Sequence, residues 1–273
     1  MLIMTLRVRD EEDILEANLK YHLESGVDHI IVTDNRSVDG TPDIISRYVQ
    51  LGCVTSLYDE GDDHDQSGWV THMARLAFTD FRAKWVINND ADEFWMPRNA
   101  PDLKRQFFRY PSRNVVIAQR SDFVCLDDET GPFWERMIYR KTLSTNALGK
   151  KLPPKSAHRA HPGITVSPGN HRVSGFRWQR TARSGVEILH FPMRSRSQYT
   201  QKIITGGQAY LNKKDGSPKQ GATWRAQYQE WKDTGRIAFL EENVLSPSDV
   251  KRQLEDGKLV IDTRLKNFFS LRK

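Results

Sequence analysis

The sequence KWVINNDADEFW, residues 84–95, is the stretch that decides the fold of this chain. Lys84 to Asn88 has the pattern of a short buried strand, and acids follow at Asp90, Asp92 and Glu93. Residues two apart in an extended segment point to the same side. We therefore expect Asp90 and Asp92 to face one pocket at the carboxyl end of the strand, where open α/β sheets bind their ligands. Two such carboxylates suit a hard divalent cation, although Asp-x-Asp alone is also typical of a solvated acidic turn.

The composition is that of a soluble globular protein. The chain has 273 residues, 38% of them hydrophobic and 28% charged, which allows one large α/β domain or two smaller ones. No apolar run approaches the ~20 residues of a membrane-spanning helix, and the stretch from Met1 to Leu6 is too short for a signal peptide. Cys53 and Cys125 form no disulfide or metal-binding pattern. We therefore expect buried free thiols and a cytoplasmic location.

The net charge of +6 conceals a strong asymmetry along the chain. Residues 1–100 contain 9 Lys and Arg against 19 Asp and Glu, whereas the region from Arg136 to Lys214 contains 16 basic residues and the single acid Glu187. A run this one-sided indicates an anionic partner, such as phosphate groups, a membrane surface or nucleic acid. A solvated basic surface is the alternative.

Strand and helix patterns alternate over the first ~125 residues, as in a parallel sheet. The predicted elements are strands at 2–8, 29–33, 54–58 and 84–88, and helices at 11–25, 41–52 and 67–81, the second helix with Thr41 as its N-cap. Beyond residue 111 the pattern loosens. It still predicts strands at 115–118, 138–140 and 186–190, helices at 198–212 and 224–232, and loops over most of 150–183.

Three segments together resemble the GT-A-fold glycosyltransferases, especially bacterial members of family 2. They are VRDEE through YHL to GVDH (residues 8–29), DNRSVDGT (34–41) and DADEF (90–94). Their order and spacing match over residues 2–97, although Asp10 replaces a more usual asparagine and Asn18 a frequent aromatic. The resemblance implies a Rossmann-like, mostly parallel sheet with helices on both faces. It also implies a nucleotide-sugar-binding half, 1–125, and an acceptor-binding half, 126–273, of one GT-A domain.

The resemblance further implies a set of donor-binding residues. Asp34 and Asp39 are placed to hydrogen-bond the base and ribose, although acids at such positions also simply form turns. His72 and Arg75 are candidate phosphate contacts, and Lys202 is a candidate partner for the leaving diphosphate. The predicted donor-binding set is Asp10, Glu11, Asp34, Asp39, His72, Arg75, Asp90 and Lys202.

A metal site is also implied, with Mn²⁺ or Mg²⁺ suited to its carboxylate ligands. Asp90 and Asp92 supply the first ligands. ILHFP, residues 188–192, looks like the metal-ligand "HF" motif of other GT-A enzymes, so His190 is the preferred third ligand. His171, in the sequence GNH, competes for that role.

An inverting transfer needs a carboxylate to accept the proton of the acceptor hydroxyl. Glu135 is the first candidate, because Phe133 and Trp134 beside it are suited to stacking on a sugar face. Asp122, which follows a predicted strand, is the second candidate. Either acid could instead lie on the surface without a catalytic role.

The predicted function is metal-dependent transfer of a sugar, from a UDP-sugar by preference, to a saccharide or lipid-linked acceptor in polysaccharide biosynthesis. A metal-dependent nucleotidyltransferase or phosphohydrolase is one alternative, and a nucleic-acid or anionic-surface binding protein is another. No nucleic-acid-binding fingerprint is present, so we expect no nucleic-acid partner. The basic half and the tail Phe268, Phe269, Leu271, Arg272 and Lys273 suggest peripheral contact with an anionic inner membrane face.

Overall fold

The computed structural model describes residues 1–61, 66–146, 148–183, 185–212 and 221–271. It divides the chain into two compact units. The first contains the described residues within 1–61, 65–120 and 153–189, and the second those within 121–152 and 190–273. Arg272 and Lys273 of the predicted membrane-contacting tail lie outside the described residues, as do Lys213 and Lys214 at the end of the basic run.

The elements of the described residues are numbered here in chain order. The strands are β1 (Leu2–Val8), β2 (His29–Asp34), β3 (Val54–Tyr58), β4 (Trp85–Asn89), β5 (Glu93–Pro97), β6 (Val115–Asp122), β7 (Cys125–Leu126), β8 (Tyr139–Lys141), β9 (Lys155–Arg159), β10 (Thr165–Val166), β11 (Val173–Ser174), β12 (Thr181–Ala182), β13 (Val186–His190), β14 (Val244–Leu245) and β15 (Leu259–Ile261). The α-helices are α1 (Leu15–Glu24), α2 (Thr41–Gln50), α3 (Gln66–Thr79), α4 (Leu103–Phe108), α5 (Phe133–Arg136), α6 (Arg196–Asn212), α7 (Ala222–Thr234), α8 (Ala238–Asn243), α9 (Pro247–Glu255) and α10 (Arg264–Ser270).

A large mixed sheet forms the centre of the first unit. Its order is β3-β2-β1-β4-β9-β6-β13-β5, with β12 paired to β6. Strands β1 to β4 are parallel to one another, whereas β9 lies antiparallel between β4 and β6. Helix α3 packs Val70, Met73 and Ala74 against Ile3 and Val86 of the sheet. The predicted α/β architecture is confirmed, and the sheet is mixed, because β9 is antiparallel to both of its neighbours whereas β12 is parallel to β6.

Strand β9 is the main departure from the sequence-based prediction, which assigned loops to this region. Its sequence, KSAHR, contains four polar residues of five, a composition that is unusual for a central strand. Lys155, Ser156 and His158 are nevertheless buried, because each of their side chains has a hydrogen-bonding or ionic partner. The short strands β5, β10, β11 and β12 were also missed.

The predicted N-cap of α2 is wrong. Gly40 occupies the N-cap position, and Thr41 is the first helical residue. The hydroxyl of Thr41 instead accepts a hydrogen bond from the backbone N–H of Glu11, at 2.9 Å. Thr41 therefore joins the end of β1 to the turn after β2. Both cysteines are free as predicted, but only Cys125 is buried, and Cys53 is half-buried.

The second unit has its own apolar core, in which α6 packs against α7. Two consecutive glycines of α6 permit this approach. A Cβ atom on Gly206 would lie 2.4 Å from the Trp224 ring, and one on Gly207 would lie 2.3 Å from Tyr228 Cβ. Pairings of β7 with β14 and of β8 with β15 complete this unit. None of the helices in the part of the chain that the structure describes is long and apolar enough to cross a membrane.

Candidate active site

A buried asparagine of α1 holds the acidic turn after β4 in place by hydrogen bonds. Asn18 is fully buried, and its Nδ2 donates to the carbonyl oxygens of Ala91, at 2.8 Å, and Glu93, at 2.9 Å. The N–H of Glu93 donates to the carbonyl of Asp90, at 3.1 Å, and closes the turn. Asp92, within this turn, is 5% exposed. The backbone that carries the two aspartates is therefore fixed by hydrogen bonds on its inner side.

A second layer of polar side chains supports Asn18. Nδ2 of Asn89 donates to Oδ1 of Asn18 at 3.2 Å, and the Trp95 indole N–H donates to Oδ1 of Asn89 at 2.9 Å. The backbone N–H of Trp95 donates to Nε2 of His22 at 3.2 Å, so the proton of this imidazole is on Nδ1, which contacts the Asn18 carbonyl at 2.8 Å. Burial lowers the pKa of His22 to about 4, and the ring is neutral at physiological pH.

Asp90 lies in a cluster of charged and amide side chains. One carboxylate oxygen accepts from Gln66 Nε2 at 3.1 Å and from Asn170 Nδ2 at 3.0 Å, and the other accepts from the Lys155 ammonium. Lys155 also contacts Glu93 at 3.1 Å. Burial alone would raise the pKa of Asp90, but the Lys155 ammonium outweighs it and holds the pKa below its ordinary value. Asp90 is therefore ionised at physiological pH.

Asn170 and His171 lie in a tight turn beside this cluster. Asn170 has a φ of +58° and Gly169 a φ of +70°, both in the left-handed region. Oδ1 of Asn170 is buried and has no hydrogen-bond partner among the described residues. His171 is bonded through Nδ1 to the Pro154 carbonyl at 3.0 Å. Burial and the nearby Lys155 ammonium lower the pKa of His171 to about 4, so the ring is neutral.

The donor atoms around Asp90 fit a hard divalent cation. Two carboxylates and the unpaired amide oxygen of Asn170 are the oxygen ligands that Mg²⁺ and Mn²⁺ prefer. Neutral His171 has its Nδ1 engaged by a carbonyl, as metal-binding histidines commonly do. No group of three His, Cys, Asp or Glu side chains within the described residues is already arranged around a common metal position. The Lys155 ammonium also contacts Asp90 and supplies positive charge beside it.

His190, the preferred third ligand, belongs to the second unit, where it pairs with the second candidate base. Its Nδ1 lies 2.6 Å from Oδ1 of Asp122, and both side chains are about 10% exposed. Phe123 and Phe191 stack on each other beside the pair, with ring centroids 4.4 Å apart. The sequence did not predict this contact. Whether His190 or His171 completes a metal site stays a prediction.

The predicted nucleoside-binding residues form a network at the carboxyl ends of β1 and β2. Asp10, with a φ of +52°, accepts a hydrogen bond from Val38 N–H at 2.8 Å. Asp39 accepts from the N–H of Thr41 at 2.9 Å and from Glu12 N–H at 3.1 Å, so its carboxylate has a turn-forming role. The backbone N–H of Glu11 is bonded to Thr41, as described above.

Asp34 lies closest to an open cleft. It accepts a hydrogen bond from Ser37 N–H at 3.1 Å and, together with Ser37 and Tyr58, lines a cleft of about 540 Å³. Tyr58 is 58% exposed and offers a ring for stacking. The binding roles of Asp10, Glu11, Asp34 and Asp39 stay predictions.

The other candidates are placed in different parts of the molecule. His72 and Arg75 lie on the exposed side of α3, six and nine residues beyond Gln66, and Arg75 donates to the Ile164 carbonyl at 3.0 Å. A rise of ~1.5 Å per residue takes both away from Asp90. Glu135, in α5, and Lys202, in α6, both belong to the second unit and are half-buried.

Lys155, Asn170, Gln66 and Asn18 are the site residues that the sequence-based prediction missed. Asn170 had a signal, because it stands between Gly169 and His171 in a segment already noted for its resemblance to the family. The other three are separated from Asp90 by 24 to 72 positions, and neither Gln66 nor Lys155 belongs to a motif that we quoted. Asn18 was noted only as a departure from the family pattern, and its role in holding the acidic turn accounts for an asparagine there.

The mixed sheet, with an acidic turn at the carboxyl end of a parallel strand, is the arrangement that the resemblance to GT-A glycosyltransferases predicts. The profile of glycosyl transferase family 2 matches residues 7–163, more than half of the chain, and the chain belongs to this family. This confirms the family resemblance and the enzyme class. Among curated proteins, none matches the chain.

The solved structures to which the chain is similar include two complexes. One is the mannosyltransferase PcManGT from Pyrobaculum calidifontis in complex with GDP-Man and Mn²⁺, with a TM-score of 0.42, 14% identity, and coverage of 83% of this chain and 68% of that chain. Another is S. aureus TarS 1-349 in complex with UDP-GlcNAc, with a TM-score of 0.45, 10% identity, and coverage of 84% and 71%. Similarity at this level assigns no residue of this chain.

Proposed function

We propose that this glycosyltransferase is metal-dependent and that Asp90 and Asp92 hold the cation that binds the diphosphate of a nucleotide-sugar donor. The observation that carries this proposal is the cluster of oxygen donors at the end of β4, in which Asn170 has a buried amide oxygen without a partner among the described residues. A divalent cation would supply Lewis-acid stabilisation of the negative charge that develops on the departing diphosphate. Mn²⁺ and Mg²⁺ both suit these ligands.

The residues of this chain would then bind the donor and hold the two aspartates in position. Asn18 holds the backbone of the acidic turn, so that both aspartates stay on the same side of the sheet edge. Lys155 keeps Asp90 ionised, which is the form of a carboxylate that binds a cation. The cleft beside Asp34 is the proposed place of the nucleoside, with the ring of Tyr58 available to stack on the base. A UDP-sugar is the preferred donor, as in most members of the family.

For the acceptor we propose a saccharide or a lipid-linked saccharide, and an inverting transfer in which Glu135 accepts the proton. The bond between Asp122 and His190 favours a role for Asp122 in orienting His190. Replacing Glu135 with glutamine keeps size and polarity and removes the base, so turnover should fall on the order of a hundredfold while the donor still binds. Glu255→Gln, an exposed acid of α9, is the matched control.

The metal proposal is tested by measuring donor binding with and without Mn²⁺. The readout is the thermal unfolding temperature of the protein in the presence of each member of a panel of UDP- and GDP-sugars. One donor should stabilise the protein only when Mn²⁺ is present, and Asp92→Asn should remove this stabilisation. Asp43→Asn, which changes an exposed acid of α2, should leave it intact. Unchanged turnover in EDTA would contradict the metal-dependent mechanism.

Contact with an anionic membrane is a separate proposal with narrower support. Leu271, in the tail, is 82% exposed, but Phe269 is buried and packs on Trp134 with ring centroids 4.6 Å apart. The tail therefore offers less apolar surface to a membrane than its sequence suggests. Sedimentation of the protein with anionic and with neutral liposomes at low salt tests the contact. If the protein sediments with neither kind of liposome, the membrane contact is contradicted.

A further inference from the structure

A second cleft lies in the first unit, at the end of the sheet opposite Asp90. Strand β9 begins with Lys155, which contacts Asp90, and ends with Arg159, which is paired with Trp85 at the start of β4. The two ends are four residue steps apart along the extended chain, or about 13 Å. The cleft has a volume of about 420 Å³, and its lining includes Arg113, Arg159, His161, Arg177, Trp178 and Arg180.

The cleft contains four guanidinium groups and no carboxylate in its lining. Arg113, Arg177 and Arg180 are exposed, and none of them makes an ion pair within the part of the chain that the structure describes. Guanidinium groups of like charge repel one another unless an anion lies between them. They also bind carboxylate and phosphate groups in a planar, two-point geometry. The uncompensated charge therefore indicates an anionic ligand.

The walls of the cleft are held in place by hydrogen bonds. Asn114 Nδ2 donates to the Trp178 carbonyl at 2.7 Å, and Asn114 Oδ1 accepts from the Arg180 N–H at 2.7 Å. Arg159 donates to the Tyr110 carbonyl at 3.0 Å, and its guanidinium lies 4.7 Å from the Trp85 ring. These bonds fix the loop that carries the arginines, so the cleft does not have to form when a ligand arrives.

Two loops meet behind the cleft at Gly175, which has a φ of +112°. A Cβ atom there would lie 2.2 Å from the Gly163 carbonyl oxygen, so only glycine permits this approach. Phe176, the next residue, packs against the His161 ring with centroids 5.4 Å apart. The chain then leads directly to Arg177 and Trp178.

Trp178 gives the cleft an apolar face. Its side chain is 71% exposed, and the guanidinium of Arg177 lies 5.9 Å from its ring. A sugar ring has an apolar face of C–H groups that stacks on an exposed indole, while its hydroxyl edges stay in water. The volume is within the range of small-ligand pockets.

We propose that this cleft binds an acidic saccharide, whose carboxylate or phosphate groups pair with Arg113, Arg177 and Arg180 and whose ring stacks on Trp178. The site is distinct from the donor site at Asp90 and does not depend on the bound metal. A glycosyltransferase with such a site would hold a charged acceptor or product chain at a second point, in addition to the reacting end.

The test measures binding of oligosaccharides by calorimetry, with EDTA present so that the metal site takes no part. Tetragalacturonate supplies carboxylates, a phosphorylated maltotetraose supplies phosphate, and maltotetraose is the neutral probe. We expect one or both anionic probes to bind, more weakly as salt rises, and the neutral probe to bind at least tenfold more weakly. The anionic probe that binds more tightly shows whether the cleft prefers carboxylate or phosphate groups.

Two variants address the two halves of the proposal. Arg177→Gln combined with Arg180→Gln removes charge, and Trp178→Ala removes the stacking face, and each should weaken binding at least tenfold. Arg236→Gln combined with Lys251→Gln removes the same charge from exposed positions outside the cleft and should have no effect. All variants should retain turnover with a neutral acceptor, which separates failure of this proposal from failure of the proposed function.

Three results would overturn the proposal. The first is absence of binding by either anionic probe. The second is binding that the cleft variants and the control pair weaken equally, because nonspecific charge would then explain it. The third is equally tight binding of an eight-nucleotide thymidine strand or of phosphatidylglycerol vesicles that the same cleft variants abolish, since the occupant would then be a nucleic acid or a lipid surface.

Discussion

Replacing Asn18 with leucine, which has a similar size, removes the anchor of the acidic turn. The change deletes four hydrogen bonds, two donated to the carbonyls of Ala91 and Glu93 and two made by Oδ1, with Asn89 Nδ2 at 3.2 Å and with His22 Nδ1 at 3.0 Å. Glu93 keeps a partner, because Asn89 Nδ2 also donates to its carbonyl, at 3.1 Å. Ala91 is 4% exposed and loses the side-chain donor that its carbonyl has in this structure. Asn89 Nδ2 and His22 Nδ1 each keep a second partner. One buried carbonyl left without a partner and three further lost hydrogen bonds together predict a loss of about 5 kcal/mol in the free energy of unfolding.

Urea unfolding followed by circular dichroism measures this loss as a lower midpoint at an unchanged slope. Mn²⁺-dependent donor affinity, measured well below the midpoint, should fall at least tenfold, because Asp90 and Asp92 no longer have a fixed backbone. Gln106→Met is the matched control. Gln106 is 2% exposed and makes two hydrogen bonds, with Asn99 N–H at 3.2 Å and the Tyr110 hydroxyl at 2.9 Å.

The control should also lose stability but keep its donor affinity, since it is not part of the acidic turn. An Asn18→Leu variant that unfolds at the wild-type urea concentration would refute the hydrogen-bond argument itself. A variant that is destabilised but binds the donor and Mn²⁺ normally would refute the claim that Asn18 positions the two aspartates.

Three further predictions concern the metal, the histidine pair and pH. Asp92→Asn should abolish Mn²⁺ binding, read by the paramagnetic broadening of water protons, with a wild-type circular dichroism spectrum; retained Mn²⁺ binding would contradict the ligand assignment. Asp122→Asn should lower turnover about tenfold to a hundredfold, the scale of disturbed histidine orientation, and His190→Ala should lower it at least as far; a normal rate in Asp122→Asn would show that His190 needs no such partner. His22 and His158 have a folded-state pKa of about 4 against an ordinary value of 6.5, so the unfolded state binds more protons between these limits. Stability should therefore fall as pH is lowered from 6.5 to 4, by about 3 kcal/mol for each residue, and an unchanged urea midpoint at pH 7 and pH 5 would contradict their buried, neutral state.

The parallel half of the sheet followed from local patterns in the sequence. Strands β1 and β3 were predicted at the residues where they occur, because their apolar runs are bounded by turn-forming or charged residues. The acidic turn at Asp90 was placed correctly at the end of β4 for the same reason. These features depend on contacts between residues that are close in sequence, and such contacts can be predicted from hydrophobic periodicity and turn-forming residues.

The strand that completes the site could not be predicted in this way. Strand β9 is polar, and it is stable in the sheet only because Lys155 meets Asp90 and Glu93, and Ser156 meets the His171 carbonyl. Each of these partners is distant in sequence, so no local pattern distinguishes KSAHR from an exposed loop. The cost of burying a lysine is offset only when its carboxylate partners are already in place.

The pairing of Asp122 with His190 shows what was missing from the assignment of roles. The sequence placed His190 at the end of a predicted strand and Asp122 four residues beyond another. Strand β13 ends at His190 as predicted, whereas β6 continues past residue 118 to Asp122. The order of the strands in the sheet was not predictable, and β13 lies next to β6 although 63 residues separate the end of one from the start of the other. Because the two strands are adjacent, Asp122 is better assigned as the group that orients the His190 imidazole than as the catalytic base. A carboxylate bonded at 2.6 Å to Nδ1 fixes the ring and directs its Nε2 away from the pair. The role of Asp122 therefore depends on which strands are neighbours in the sheet, and no single stretch of the sequence indicates that order.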